Sequence, residues 1–118
     1  GHPWCTYFAE LVWMKAYAGT EYEPILTNLF SGYALITLDN FINSEFTVSQ
    51  TPFTGSIAIW QHGFTDTGHA AIVDAVTSSH IFSSIGGNEN DRIRQKLRHA
   101  GVPHTPDGFN LLGFMNPI

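Results

Sequence analysis

The sequence has little cysteine, little basic charge and no long apolar run. Cys5 is the single cysteine among 118 residues, so disulfide counting cannot report the redox compartment. Five basic side chains stand against ten acidic ones, and the formal net charge of −5 argues against a nucleic-acid partner and against general attraction to a membrane surface. No apolar run approaches the ~18–20 residues that are needed to cross a bilayer.

We also expect no export signal within these residues, because they include neither a charged n-region nor an apolar h-region. What the sequence does contain is apolar and aromatic side chains, at 43% and 14% of residues. A chain of this length and composition predicts one domain, residues 1–118, that folds around its own core rather than around disulfides. We find no internal repeat, linker or low-complexity tract.

Hydrophobic periodicity predicts an α+β domain. The first helix runs from Cys5 to about Ala18 and ends before Gly19. Its predicted apolar face consists of residues at i, i+3 and i+4 spacing, namely Cys5, Phe8, Ala9, Val12 and Ala16. A loop over residues 21–28 leads to a second predicted helix over 29–46, broken near Gly32. Short antiparallel strands follow at about 56–61, 69–76, 81–88, 92–98 and 111–115.

Cys5 is a candidate nucleophile because of its place in residues 3–13, PWCTYFAELVW. Pro3 suits the first position of a helix, which puts Cys5 in the first turn. The first N–H groups of a helix have no intrahelical acceptor, and the helix dipole is positive there, so a thiolate is favoured over a thiol. The competing interpretation is a small buried hydrophobe, the commonest role of a free cysteine.

The partners that favour catalysis lie downstream, in residues 68–73 (GHAAIV) and 85–91 (IGGNEND). A single cysteine followed much later by histidine and asparagine is typical of a thiol hydrolase. The two segments read as a hairpin closed by residues 77–80, and pairing Val76 with Ile81 places His69 opposite Asn88. Glu89 would then face the other side, unless a bulge at residues 86–87 shifts the register.

The motifs Pro-Trp-Cys, Gly-His and Gly-Gly-Asn, in this order, resemble the CHAP and NlpC/P60 cell-wall hydrolases of the papain-like superfamily, most closely a small CHAP-like subgroup. The resemblance extends from Pro3 to about Pro117. Residues 55–60 (GSIAIW) are similar to a family strand in which Ser56 stands where Asp is usual, and residues 112–117 are similar to the closing strand. The resemblance implies a papain-like fold, with the cysteine-bearing helix packed on an antiparallel sheet of about five strands.

The resemblance also implies a cysteine peptidase or amidase that acts on a peptidoglycan peptide or muropeptide, outside the cell or in the periplasm. Cys5 attacks an amide carbonyl, His69 takes the thiol proton, Asn88 orients the imidazole, and the Cys5 N–H contributes to the oxyanion hole. The bond that is cut stays open, as do the second oxyanion donor, the flanking domains and the oligomeric state. Phage lysin, autolysin and effector roles also stay open; an effector would have an inhibitor or immunity protein as partner.

Two other functions remain open: an acyltransferase or deamidase on the same scaffold, and a non-enzymatic binding module. We expect no cofactor. His2, Cys5 and His69 could supply zinc ligands, but the sequence lacks a close pair such as C-x₂-C or H-x₃-H, so we expect no metal. The remaining histidines lie in or next to predicted turns: His62, His80, His99 and His104.

Two further groups of side chains have a structural and a functional interpretation. Trp4 and Trp60 are candidate walls of the core or of a substrate cleft. Spacing by two puts four basic residues on one face of a strand, with Ile93 and Leu97 on the other: Arg92, Arg94, Lys96 and Arg98. That face is either solvated and protects a sheet edge, or it forms a carboxylate-binding ladder near the cleft.

Overall fold

Three helices precede a six-stranded sheet in the computed structural model, which describes residues 4–87 and 94–118. Of Trp4, Cys5 and Arg94 it describes only the backbone. The helices are α1 (Trp4–Ala16), α2 (Glu23–Leu29) and α3 (Ala34–Ile42). The strands are β1 (Val48–Ser49), β2 (Ile57–His62), β3 (Gly68–Val76), β4 (Ile81–Gly86), β5 (Arg94–His99) and β6 (Phe109–Met115). The α+β class is therefore confirmed.

The sheet has the strand order β1-β6-β2-β3-β4-β5, and every neighbouring pair is antiparallel. Strands β2, β3, β4 and β5 follow one another along the chain as a meander. The last strand, β6, lies between β1 and β2 and pairs with both. The edges of the sheet are β1 and β5.

The helices cover one face of the sheet, the helix face. Trp13 of α1 is buried there and packs edge-on against Phe30 and Phe41, at centroid distances of 6.2 and 5.7 Å. Its indole N–H donates to the carbonyl of Gly55 at 3.0 Å, which satisfies the one polar atom that this large side chain buries. From the sheet, Ile57 and Ile59 complete this core.

The buried face of α1 differs from the predicted one. Thr6, Ala9 and Trp13 are at most 3% exposed, whereas Val12 is 37% exposed and Ala16 is exposed. Of the predicted face, Ala9 is buried as expected, but Val12 and Ala16 are not. The helix is instead rotated so that Trp13, which has more apolar surface to bury than Val12, reaches the core.

The opposite face of the sheet, the concave face, has its own core. Phe82 of β4 and Phe114 of β6 are fully buried, and their ring centroids are 5.2 Å apart although two strands lie between β4 and β6. In a flat sheet the backbones of β4 and β6 would be about 14 Å apart, since neighbouring strands are ~4.8 Å apart. The two side chains therefore lean toward each other over β2 and β3, and the register shifts in the β2–β6 and β3–β4 pairs are irregularities of the kind that bend a sheet.

Several predicted elements need correction. The predicted loop over 21–28 contains α2, because Pro24 lies in the first turn of a helix, where its missing N–H costs nothing. The predicted second helix is broken around Gly32, as expected, but α3 starts at Ala34 and ends at Ile42 rather than at residue 46. The strand β1 was not predicted, so the sheet has six strands rather than about five. Residues 88 and 92–93 of the predicted strands lie outside the described residues.

Candidate active site

Cys5 is the second residue of α1, which confirms that it lies in the first turn of a helix. The following residue, Thr6, is 1% exposed, so the start of α1 is packed against the rest of the domain. Backbone N–H groups at this end of a helix point away from the helix without an intrahelical acceptor. This is the environment in which a thiolate and an oxyanion are stabilised.

His69 is the second residue of β3, and the Gly-His pair begins that strand as predicted. A Cβ atom on the preceding Gly68 would lie 2.4 Å from the carbonyl oxygen of Trp60 and 3.1 Å from a methyl carbon of Leu35. The first of these distances is incompatible with a side chain, because the atom it meets is backbone, so glycine is required where β3 passes between β2 and α3. Gly68 thus faces the helices, and by alternation His69 faces the concave side.

Two aromatic rings flank the His69 imidazole. Trp60 is its direct partner in the β2–β3 pair, and the two ring centroids are 5.6 Å apart. Phe109, at the start of β6, lies 6.1 Å away in an edge-on arrangement and also stacks on His62 at 5.1 Å. The sequence interpretation missed Phe109, which lies outside the predicted strand 111–115 and reaches His69 only because β6 pairs with β2.

The β3–β4 hairpin follows the predicted register at the His69 end and departs from it at the turn. Ile72 pairs with Ile85 and Val73 with Ser84, which is the predicted frame. Val76, however, pairs with Phe82 rather than with Ile81. The carbonyl of Ile81 instead accepts N–H groups from the turn, and a register shift between Val73 and Ala75 restores the predicted frame.

The third predicted site residue, Asn88, lies outside the described residues, as do Glu89, Asn90 and Asp91. The described part of β4 pairs regularly with β5 from Ile81 to Gly86. The roles of Cys5, His69 and Asn88 as a catalytic set remain predictions.

Trp60 is 4% exposed, so its ring belongs to the core of the concave face more than to an open cleft. The Arg98 guanidinium carbon lies 4.7 Å from the Trp60 ring centroid, in cation–π geometry. The Nε of Arg98 donates to Ser84 Oγ at 3.1 Å. Trp60 therefore lies between the imidazole of His69 and a half-buried guanidinium. The side chain of Trp4, the other predicted wall, is not described.

The strand with the basic residues, β5, lies at the sheet edge. Its basic side chains are not on the solvent-exposed face, however. Lys96 and Arg98 of β5 are half-buried, whereas Leu97 between them is 65% exposed. The long aliphatic stems of Lys96 and Arg98 can cover the concave core while their charged ends reach its rim. Of the other predicted members, Arg92 and Ile93 lie outside the described residues, and only the backbone of Arg94 is described.

Ser56, which stands where the resembling family usually has Asp, has a structural role. It is fully buried, and its hydroxyl donates to the carbonyl of Phe53 at 2.6 Å. Its own carbonyl accepts the N–H of Val73 at 2.8 Å. Ser56 thus fixes the turn that leads into β2.

The fold and the placement of Cys5 and His69 define a class: a papain-like α+β domain with a cysteine in the first turn of its first helix and a histidine at the start of a strand. Residues 1–88, about three quarters of the chain, match the family model of the CHAP domain. The chain belongs to the CHAP domain family. CHAP domains are generally cysteine amidases or peptidases that act on peptidoglycan, so membership indicates peptidoglycan hydrolase or amidase activity in general.

Neither the curated proteins nor the solved structures gave a significant match to this chain. Within residues 4–87 and 94–118, no three His, Cys, Asp or Glu side chains lie close enough together to hold a metal ion. The described helices include none that is long and apolar enough to cross a membrane.

Proposed function

We propose that residues 1–118 form one catalytic domain, a thiol hydrolase that cleaves an amide or peptide bond in bacterial peptidoglycan, and that it belongs to the small CHAP-like subgroup with Pro-Trp-Cys, Gly-His and Gly-Gly-Asn motifs. The observation that carries the proposal is the CHAP match over residues 1–88, which includes all three motifs. The location of Cys5 in the first turn of α1 and of His69 at the start of β3 supports it.

In the proposed reaction, His69 takes the proton of Cys5, and the thiolate attacks the carbonyl carbon of the scissile amide. The negative charge moves to the carbonyl oxygen, which the Cys5 backbone N–H helps to stabilise. The imidazolium then donates its proton to the leaving nitrogen as the C–N bond breaks, which leaves an acyl thioester on Cys5. Water, deprotonated by His69, cleaves the thioester and restores the thiol.

The proposed role of Asn88 is to orient the imidazole. The pairs Ile72–Ile85 and Val73–Ser84 support it, since the same frame continued by three residues would put Asn88 opposite His69. An amide oxygen that accepts from one imidazole nitrogen leaves the other free to face sulfur, and it adds no charge to the site.

The direct test is digestion of purified peptidoglycan followed by mass spectrometry of the released muropeptides. A new L-alanine N-terminus together with a free lactyl carboxyl group would identify an N-acetylmuramoyl-L-alanine amidase, and new termini within the stem or cross-bridge would identify an endopeptidase. Unchanged peptidoglycan after prolonged incubation would refute the proposal. We place the site of action outside the cell or in the periplasm, where this polymer is found.

Asn88→Ala is expected to reduce kcat/KM by on the order of 10- to 1000-fold, a smaller loss than removal of the nucleophile, because orienting partners act through the group they hold. Glu89→Ala is the matched control and should have a mild effect. The measurement is steady-state cleavage of one purified muropeptide by both variants. A large loss in Glu89→Ala with an active Asn88→Ala would show that the orienting group is Glu89.

Treatment with EDTA is expected to leave activity unchanged, because the proposed chemistry uses a thiolate and an imidazole and no metal-bound water. The measurement is muropeptide cleavage before and after dialysis against the chelator, with a zinc metallopeptidase treated in parallel as the control. Loss of activity that added zinc restores would replace the thiol mechanism with a metal-dependent one.

A further inference from the structure

Strands β2, β3 and β6 bring aromatic rings together around the candidate catalytic histidine. Trp60 of β2 is the direct cross-strand partner of His69 of β3, and Phe109 of β6 is the partner of His62, two residues further along β2. The ring centroids of Phe109 and His69 are 6.1 Å apart, although β2 lies between their strands. The two side chains therefore meet over the backbone of β2.

Alternation along β2 leaves room for this contact. Gln61 is the β2 residue opposite Gly68, which faces the helices, so the Gln61 side chain is directed away from the concave face. Its amide donates to the carbonyl of Thr65, in the turn after β2, at 2.6 Å. The concave side of the β2 backbone at this position is therefore left to the rings of His69 and Phe109.

Hydrogen bonds on both sides of Phe109 fix its backbone. The N–H of Gly63 donates to the carbonyl of Gly108 at 2.7 Å, and Asn110 Nδ2 donates to the carbonyl of Gly63 at 2.8 Å. Asn110 is 2% exposed and also holds the loop before β6, because its Oδ1 accepts the N–H of Thr105 at 2.8 Å. Both chain neighbours of Phe109 are thus bound to the turn between β2 and β3, and the ring is held in place although it is 56% exposed.

The second ring beside the imidazole, that of Trp60, is fixed by burial. It is 4% exposed, with the Arg98 guanidinium carbon 4.7 Å from its centroid and the Phe82 ring stacked on it at 6.3 Å. The half-buried imidazole of His69 thus packs against two rings that have their own restraints, Trp60 at 5.6 Å and Phe109 at 6.1 Å. We call Trp60 and Phe109 the aromatic clamp.

The proposed chemistry explains why such a clamp would consist of aromatic rings. A histidine side chain has several rotamers about its first torsion angle and rotates broadly about its second, so one orientation must be imposed by neighbours. A phenyl ring has no hydrogen-bonding group, so Phe109 restricts the imidazole without occupying a ring nitrogen. Both nitrogens of His69 stay available, one for the sulfur of Cys5 and one for the orienting acceptor.

We infer that Phe109 is a positioning residue, which together with Trp60 holds the His69 imidazole in the orientation that proton transfer requires. The inference rests on the proposed function for the role of His69, and it adds a residue that lies outside all three motifs and beyond the residues that match the family model. Phe109 acts through the imidazole and does not take part in the bond changes itself.

The kinetic test is Phe109→Ala, which should lower kcat for one purified muropeptide by about 10-fold and change KM by less than about 2-fold, because a displaced base slows the chemical step. Phe109→Tyr keeps the ring and should retain the wild-type kcat. The matched control is Phe64→Ala, which removes a phenyl ring that is 62% exposed in the neighbouring turn and has no ring contact with His69 in the described part of the chain. A loss that lies in KM would contradict the inference, because it would show that Phe109 binds substrate.

Two measurements without substrate separate this inference from the proposed function. Three-bond NMR couplings of the His69 side chain should indicate one rotamer in the wild-type protein and in Phe109→Tyr, and an average of rotamers in Phe109→Ala. Alkylation of Cys5 by iodoacetamide at neutral pH should slow by about 3- to 10-fold in Phe109→Ala, because the imidazolium that favours the thiolate is no longer held beside it. Circular dichroism checks the fold of each variant. If Phe109→Ala does not fold, Phe109→Leu is measured instead and should show the same changes, since a branched side chain offers no flat ring to the imidazole.

The two kinds of failure are distinguishable. Averaged rotamers together with slower alkylation would support the aromatic clamp even if the wild-type protein cleaves no peptidoglycan. A His69 side chain that keeps one rotamer without Phe109, or an unchanged alkylation rate, would overturn the inference and leave the hydrolase proposal standing.

Discussion

Cys5→Ala is expected to abolish muropeptide cleavage and to leave the fold intact. The substitution removes the thiolate but little volume, and Thr6, Ala9 and Trp13 of the same helix are buried against the rest of the domain. Residual activity should fall below about 1% of wild type, as it does when the nucleophile of a catalytic unit is removed. Steady-state kinetics and circular dichroism of the purified variant provide the measurement. Cys5→Ser is the conservative partner and should be equally inactive.

Chemical labelling checks the same prediction in the unmodified protein. Because Cys5 is the only cysteine, inactivation by iodoacetamide can be assigned to one sulfur atom. The rate of alkylation as a function of pH reports the pKa of the thiol, which we expect to lie below the ~8.5 of a free cysteine. Activity that survives complete alkylation would show that Cys5 is not the nucleophile.

His69→Ala is expected to reduce activity about as much as Cys5→Ala does. When several groups act as one catalytic unit, removal of any one of them abolishes most of the rate enhancement. The double variant should be no less active than either single variant. A second measurement tests the His69–Cys5 relationship directly. An imidazolium near a thiol lowers the thiol pKa, so His69→Ala should raise it and slow alkylation at neutral pH.

The matched controls are His62→Ala and His104→Ala. His62 stacks on Phe109, and His104 Nε2 lies 3.0 Å from the carbonyl oxygen of Leu111. Neither ring contacts His69 in the described structure, so both variants should keep most of the activity and a normal alkylation profile. An active His69→Ala protein beside an inactive His62→Ala protein would move the general base to His62.

Short sequence patterns predicted the elements whose limits depend on neighbouring residues alone. Gly68-His69 begins a strand, and alternating side chains gave the limits of β3 closely. α2 could not be predicted in this way, because Pro24 breaks a helix in its interior but is tolerated in its first turn. Likewise, the choice between Val12 and Trp13 as the core residue of α1 depended on the shape of the sheet beneath it.

The candidate site shows the same division. The frame of the β3–β4 hairpin at Ile72–Ile85 could be deduced from one short turn, even though the starting pair at Val76 was wrong by one residue. The contact between Phe109 and His69 could not be deduced, because it depends on a pairing between strands far apart in sequence.

The position of β6 has a consequence for how the domain folds. This strand, Phe109–Met115, is the last along the chain yet fills the gap between β1 and β2, and its Phe114 and Met115 are fully buried. During synthesis, the meander from β2 to β5 can form while β2 still has an exposed edge, which is a template for pairing with other chains. Closing that edge requires contacts of long sequence separation, which form slowly. We therefore expect emergence of the final strand to limit folding and aggregation to compete with it, even though the residues that match the family end well before β6.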